Sequence, residues 1–195
     1  MRLGLFGGSF DPVHLGHLLA ASESADRLGL DRVEFVTAAR PPHKRPVAPP
    51  EARHEMVVLA VGKDARFFAS RLELDHPGPS FTVDTLRRAR RLWPEAELFF
   101  ITGADAYREV ETWKEPEALF ELATLVAVTR PGYDLKRLAP FFRERVRVLE
   151  IPGYEVSSTE VRRRVAAGRS IRYLVPFEVE VYIEKHGLYR AGTRA

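Results

Sequence analysis

The chain has 195 residues, 45% of them hydrophobic and 29% charged, a globular composition able to bury a core without a metal or disulfide staple. The absence of cysteine excludes disulfides, thiolate metal sites and covalent thiol chemistry. No apolar run approaches the ~20 residues that span a bilayer, no basic segment leads into a leader-like apolar stretch, and the surplus of +3, from 25 arginines and 5 lysines against 27 acids, is mild for a nucleic-acid binder. A soluble, cytoplasmic protein with neither a membrane nor a nucleic-acid partner is therefore expected. Taken in order, the apolar run from Arg2 to Gly7 predicts a strand that ends in glycines, and helical spacing from Leu15 to Leu28 predicts the following helix. Val33 to Ala38 reads as a second strand. The Pro-rich stretch from Arg40 to Pro50 predicts a mobile surface loop, and Glu51 to Val61 a helix. Arg66 to Ser70 reads as a strand, His76 to Pro79 as a turn, and Thr82 to Leu92 as an amphipathic helix capped by Ser80 or Thr82. Glu97 to Thr102 is the strongest buried strand. Leu125 to Thr129 and Val146 to Ile151 add two more, separated by a turn at Pro131-Gly132 and a short helix near Leu135 to Phe142. Ser157 to Ala167 and Val175 to His186 close the chain as helices.

Strands alternating with helices predict a parallel sheet covered on both faces. The expected architecture is one doubly wound α/β domain over residues 1–195, with a small C-terminal helical appendage at about 157–190. Ligands of such sheets bind beyond the carboxyl ends of the strands, at the switch in strand order. The loops after Phe6, Ala38, Ile101 and Thr129 are thus the candidate site.

The segment from Gly7 to His17 fits that position. Gly7 and Gly8 allow close backbone approach, and the helix start behind them offers N–H groups and a positive dipole end to phosphate. His14 and His17, three residues apart, share a face, and Gly16 keeps the surface between them low. The spacing is neither that of a P-loop nor the G-x-G-x-x-G fingerprint. Ser157, Ser158 and Thr159, with Glu160 completing a capping-box pattern and Arg162 on the next turn, form a second candidate anion site. The arginine runs 87–91 and 162–164 read chiefly as solvated helix faces.

His14-Leu15-Gly16-His17, within Gly-Gly-Ser-Phe-Asp-Pro-Val-His, resembles the H-x-G-H nucleotidyltransferase superfamily and, in its extended form, the nicotinate mononucleotide adenylyltransferase family. Val156-Ser157-Ser158-Thr159 with Arg162 is similar to that family's second phosphate motif, and the resemblance continues to Gly187-Leu188-Tyr189. It implies a Rossmann-like nucleotidyltransferase fold and direct in-line transfer of the adenylyl group of ATP to nicotinate mononucleotide, with Mg²⁺ carried mainly by the ATP phosphates and no metal site of the protein's own. Catalytic roles are implied for His14, His17 and Lys44, the last within Pro41-Pro42-His43-Lys44. For ATP the resemblance implies Gly7, Gly8, Ser9, Phe10, both histidines, Arg130, Ser157, Ser158, Thr159 and Arg162. For the acceptor it implies Lys44, Asp105 on the ribose, Trp113 stacked on the pyridine, and the amides at Thr82 and Lys114 on the carboxylate. Arg53 and Met56 match a helix motif read as structural. The alternatives are an adenylyltransferase for nicotinamide mononucleotide or another phosphorylated acceptor and, in a different class, a non-catalytic nucleotide- or RNA-binding module. Homo-oligomerisation is left open.

Overall fold

A computed structural model describes residues 1–107, 109–129, 140–153 and 155–191. β1 (Arg2–Gly8) leads into α1 (Leu15–Leu28), β2 (Arg32–Thr37) into α2 (Pro50–Val61), and β3 (Phe67–Ser70) into α3 (Thr82–Leu92). β4 (Glu97–Gly103) is followed by α4 (Ala104–Tyr107), two 3₁₀ turns and α5 (Leu119–Leu122). β5 (Thr124–Thr129), α6 (Pro140–Arg145), β6 (Arg147–Glu150), α7 (Ser158–Ala166) and α8 (Phe177–Lys185) complete the chain.

The six strands form one sheet in the order β3-β2-β1-β4-β5-β6, and every neighbouring pair is parallel. This is the expected doubly wound arrangement. Side chains alternate across each strand. In β1, Leu3 and Leu5 join the core under α3, while Phe6 joins the core under α1, α2, α7 and α8. The chain enters the sheet at β1 and later crosses to β4 on its other side, so the helices on the two flanks diverge at this pair. That divergence opens a crevice at the strands' carboxyl ends.

Some local expectations change. The N-cap of α3 is Phe81, with no side-chain cap bond. Ser80 is committed elsewhere: its hydroxyl accepts the Arg40 N–H at 3.0 Å, and its own N–H donates to the Arg40 carbonyl at 2.9 Å. The Pro-rich segment has no helix or strand before Pro50, but it is not free. Val47 and Ala48 both donate to the Asp11 carboxylate, at 2.7 and 3.1 Å. The short elements between β4 and β5 were not expected, because four-residue helices are too brief to show a periodicity. Within the stretch assigned to a helix near Leu135 to Phe142, the described helix is α6, and the Pro131-Gly132 turn lies outside the described residues.

Candidate active site

A cleft of about 640 Å³ opens over the ends of β1 and β4. Gly7, Gly8 and Ser9 form its floor, and His14, His17 and Lys44 stand over them along one side. Asp105, just past β4, lines the cleft too, as do Ser157, Ser158, Thr159 and Arg162. Two motifs about 140 residues apart in sequence are therefore brought to one cavity.

The histidines sit where the chain turns into α1. His14 is its N-cap, and its N–H donates to Nδ1 of His17 at 3.1 Å. With Nδ1 engaged as an acceptor, neutral His17 carries its proton on Nε2. The two rings stack with centroids 3.6 Å apart. Burial holds His14 at about 4, below its ordinary 6.5. Burial, followed by the nearness of His14 and Lys44, holds His17 well below its ordinary value. Nδ1 of His14 is buried without a well-formed partner. Gly16 leaves room here, since a Cβ there would lie 3.0 Å from Val156 and 3.1 Å from the His14 ring and would press on both. Phe10, 2% exposed, packs edge-on to His17 at 5.1 Å. It backs the histidine ring, and its own ring offers little surface to a ligand.

α7 begins at the same cleft. Ser157 caps it by accepting the Glu160 N–H at 3.1 Å, which leaves the hydroxyl proton free to donate. Ser158 donates to the Pro12 carbonyl at 2.9 Å, and Arg162 to the Asp11 carbonyl at 2.7 Å, so the second motif is bolted to the first. The Glu160 carboxylate is occupied by Arg163 and Arg164, whose guanidinium groups hold it down at about 2. The expected reciprocal half of the capping box is replaced by these ion pairs. Two helix N-termini and the cations of Lys44, Arg45 and Arg162 thus converge on one cavity, a field that favours a polyanion.

The remaining expected residues lie elsewhere. Thr82, Trp113 and Lys114 do not line the cleft. Thr82 opens α3, and Lys114 comes to the same helix start: it pairs with Asp84 at 2.9 Å and lies over the Phe81 ring at 5.2 Å. Trp113 stacks on Tyr107 at 5.8 Å and meets Phe100 edge-on. A Cβ on Gly7 would meet that same Phe100 ring at 2.9 Å, so the aromatic patch and the cleft adjoin across the β1 and β4 ends. Arg130 lies outside the described residues. The arginines of α3 are mostly engaged: Arg87 pairs with Glu115, Arg88 donates to the Leu72 carbonyl, and Arg90 to those of Leu122 and Ala96.

Three residues at the site escape a reading of local sequence. Arg53, 0% exposed, donates to the carbonyls of Ser9, Ala38, Ala39 and Ala48 and so joins the loops after β1 and β2. Its reading as structural fits this. Asp11 lies inside the first motif yet faces away into a buried knot with Tyr189. A buried aspartate between Phe and Pro could have signalled a loop anchor, whereas nothing local marks Tyr189 as its partner.

The cytidylyltransferase-like family matches residues 5–164. The chain is 70% identical over 190 residues to a Thermus thermophilus protein named "Probable nicotinate-nucleotide adenylyltransferase", covering 97% of this chain and 100% of that one. A protein of the same name from Leifsonia xyli is 48% identical over 190 residues, covering 97% and 94%. In fold, the structure of Plasmodium falciparum nicotinic acid mononucleotide adenylyltransferase complexed with NaAD matches with a TM-score of 0.80 at 21% identity, covering 96% of this chain and 97% of that one.

Proposed function

Because the chain belongs to the cytidylyltransferase-like family and, within it, to the nicotinate-nucleotide adenylyltransferases, we propose that its cleft and the adjoining aromatic patch are the two halves of that enzyme's active site. The reaction joins the adenylyl group of ATP to nicotinate mononucleotide, giving nicotinate adenine dinucleotide and pyrophosphate in NAD biosynthesis. One observation carries the assignment of the halves. The cationic cleft with its two helix N-termini suits a triphosphate, whereas the patch where Trp113 stacks on Tyr107, next to the Lys114–Asp84 pair, suits a flat anionic ring.

Nucleotidyl transfer needs positioning and charge stabilisation more than a protein nucleophile. The acceptor phosphate attacks the α-phosphorus in line, and the bond to pyrophosphate breaks on the opposite side. His17 donates from Nε2, while His14, Lys44 and Arg162 take up charge on the phosphate oxygens. Ser157 and Thr159 add hydroxyl donors, and Gly7, Gly8 and Ser9 let the nucleotide lie close to β1. Asp105 receives the acceptor's ribose, and the amides at Thr82 and Lys114 its carboxylate. Among the described residues no group of three His, Asp or Glu could hold a metal ion. The Asp11 carboxylate is consumed by Val47, Ala48 and Tyr189. We therefore place Mg²⁺ mainly on the ATP phosphates, where such ions usually sit when one or two carboxylates at most assist. Among the described residues no helix is long and apolar enough to cross a membrane, which suits a cytoplasmic biosynthetic enzyme.

The test is pyrophosphate release from ATP with nicotinate mononucleotide, with its amide, and with no acceptor. A mispaired buried contact costs about 1–3 kcal/mol, so two such contacts predict roughly 10²-fold or more preference for the acid. A preference for the amide would overturn the acceptor's identity, and release without acceptor would overturn the transfer.

A further inference from the structure

Tyr189 lies beyond the last helix, outside the motifs of the cleft, and is 6% exposed. Its hydroxyl donates to Oδ1 of Asp11 at 2.7 Å. The same oxygen accepts the Ala48 N–H at 3.1 Å, and Oδ2 accepts the Val47 N–H at 2.7 Å. The backbone carbonyl of Asp11 accepts from Arg162 at 2.7 Å. One aspartate therefore joins the segment after α8, the first phosphate motif, the second motif and the segment that carries Lys44 and Arg45 into the cleft. Both residues at the ends of this knot adopt left-handed backbone: Phe10, before Asp11, at φ 47°, and Tyr189 at φ 63°. Such conformations persist where surrounding contacts over-determine them. Burial, then the adjacent Asp11, pushes the Tyr189 phenol up, so it remains a donor at working pH.

We infer that Tyr189 is a positioning residue for ATP: by fixing the Asp11 carboxylate, its hydroxyl sets the Val47–Ala48 backbone and holds Lys44 and Arg45 against the triphosphate side of the cleft. This rests on the reading of the cleft as the ATP site. Lys44 and Arg45 stand two to four residues from the two amides that Asp11 receives. If Oδ1 loses one of its two donors, the carboxylate can rotate and the segment drifts with it. Cations on a displaced segment bind a polyanion less well, while the aromatic patch at α3 is untouched.

The experiment compares wild type, Tyr189→Phe and Asp11→Asn for steady-state kinetics with each substrate and for melting temperature. Tyr189→Phe removes one oxygen and keeps the buried ring. It should raise KM for ATP about 3–10-fold, the scale of one net hydrogen bond, with kcat and the acceptor's KM within about twofold. Asp11→Asn should act in the same direction. In a Lys44→Ala/Arg45→Ala background the effect of Tyr189→Phe on ATP should vanish, because the positioned charges are gone. A hydroxyl that merely stabilises the fold would lower the melting temperature and leave KM for ATP alone. That result, or an undiminished effect in the double-alanine background, overturns the inference. A wild-type protein that does not turn over ATP overturns instead the reading of the cleft.

Discussion

Two imidazolium rings could not comfortably stack at 3.6 Å, and burial keeps His14 and His17 neutral before a substrate arrives. On the proposed reading, the incoming triphosphate would supply the negative charge that rewards donation from these rings, most strongly as charge shifts to the leaving pyrophosphate. Replacing either histidine by alanine should lower kcat by about 10²–10³, the loss expected for one preorganised contact. For His14→Ala the melting temperature should stay near that of wild type, because Nδ1 of His14 makes no well-formed bond to lose, whereas His17→Ala also gives up the acceptor of the His14 N–H and should melt lower. Near-native turnover in either variant would sink the role of that histidine. The same burial has a consequence for stability. An unfolded histidine takes up a proton as pH falls through its ordinary 6.5, whereas folded His14 does so only near 4. Between those values the unfolded state holds more protons, so stability declines on acidification by about 1.4 kcal/mol per pH unit for this group. Urea unfolding at pH 6.5, 5.5 and 4.5 should show at least that slope, since burial also lowers His17 and His54. His14→Asn should make it shallower, and parallel slopes in the two proteins would refute the linkage.

At the scale of elements, the site depends on where strands stop and helices begin. β1 ends in glycines because side chains there would collide with Phe100 and Phe10, and α1 and α7 start at residues whose N-termini face the cleft. The loops between them need an internal scaffold, and Arg53 on α2 supplies it. Its guanidinium satisfies four carbonyls from three loop segments while fully buried. Arg53→Met keeps the apolar stem but strands those acceptors away from water, which predicts a loss of about 3 kcal/mol or more. A fall in urea midpoint at unchanged m-value would record it. A change within about 0.5 kcal/mol would mean that water or a rearranged loop satisfies the carbonyls.

At the scale of the whole molecule, a single parallel sheet supplies a crevice, and behind it the loop after β1 and the segment after α8 are tied together through Asp11 and Tyr189. No cluster of three or more metal ligands forms among the described residues. Chelation of Mg²⁺ should stop turnover while leaving the melting temperature of the free protein within about 1 °C, since an unbound ligand cannot stabilise the native state. A drop of several degrees would reveal an ion held by the protein itself. The sequence by itself determined the order of the six strands and of the longer helices, the doubly wound class, and the two motifs, one behind β1 and one at the start of α7. These are local signals: alternation at two, recurrence at 3.6, glycines after a strand, a serine before a helix. Tertiary structure alone decided that Ser80 would be tied to Arg40, leaving Phe81 as the cap, and that Trp113 would stack on Tyr107 beside the cleft. It also decided that Arg53 would gather four carbonyls and that Tyr189 would reach Asp11, 178 residues away. Such bonds depend on which groups the folded chain buries together and leaves in need of a partner, and no run of neighbouring residues encodes that.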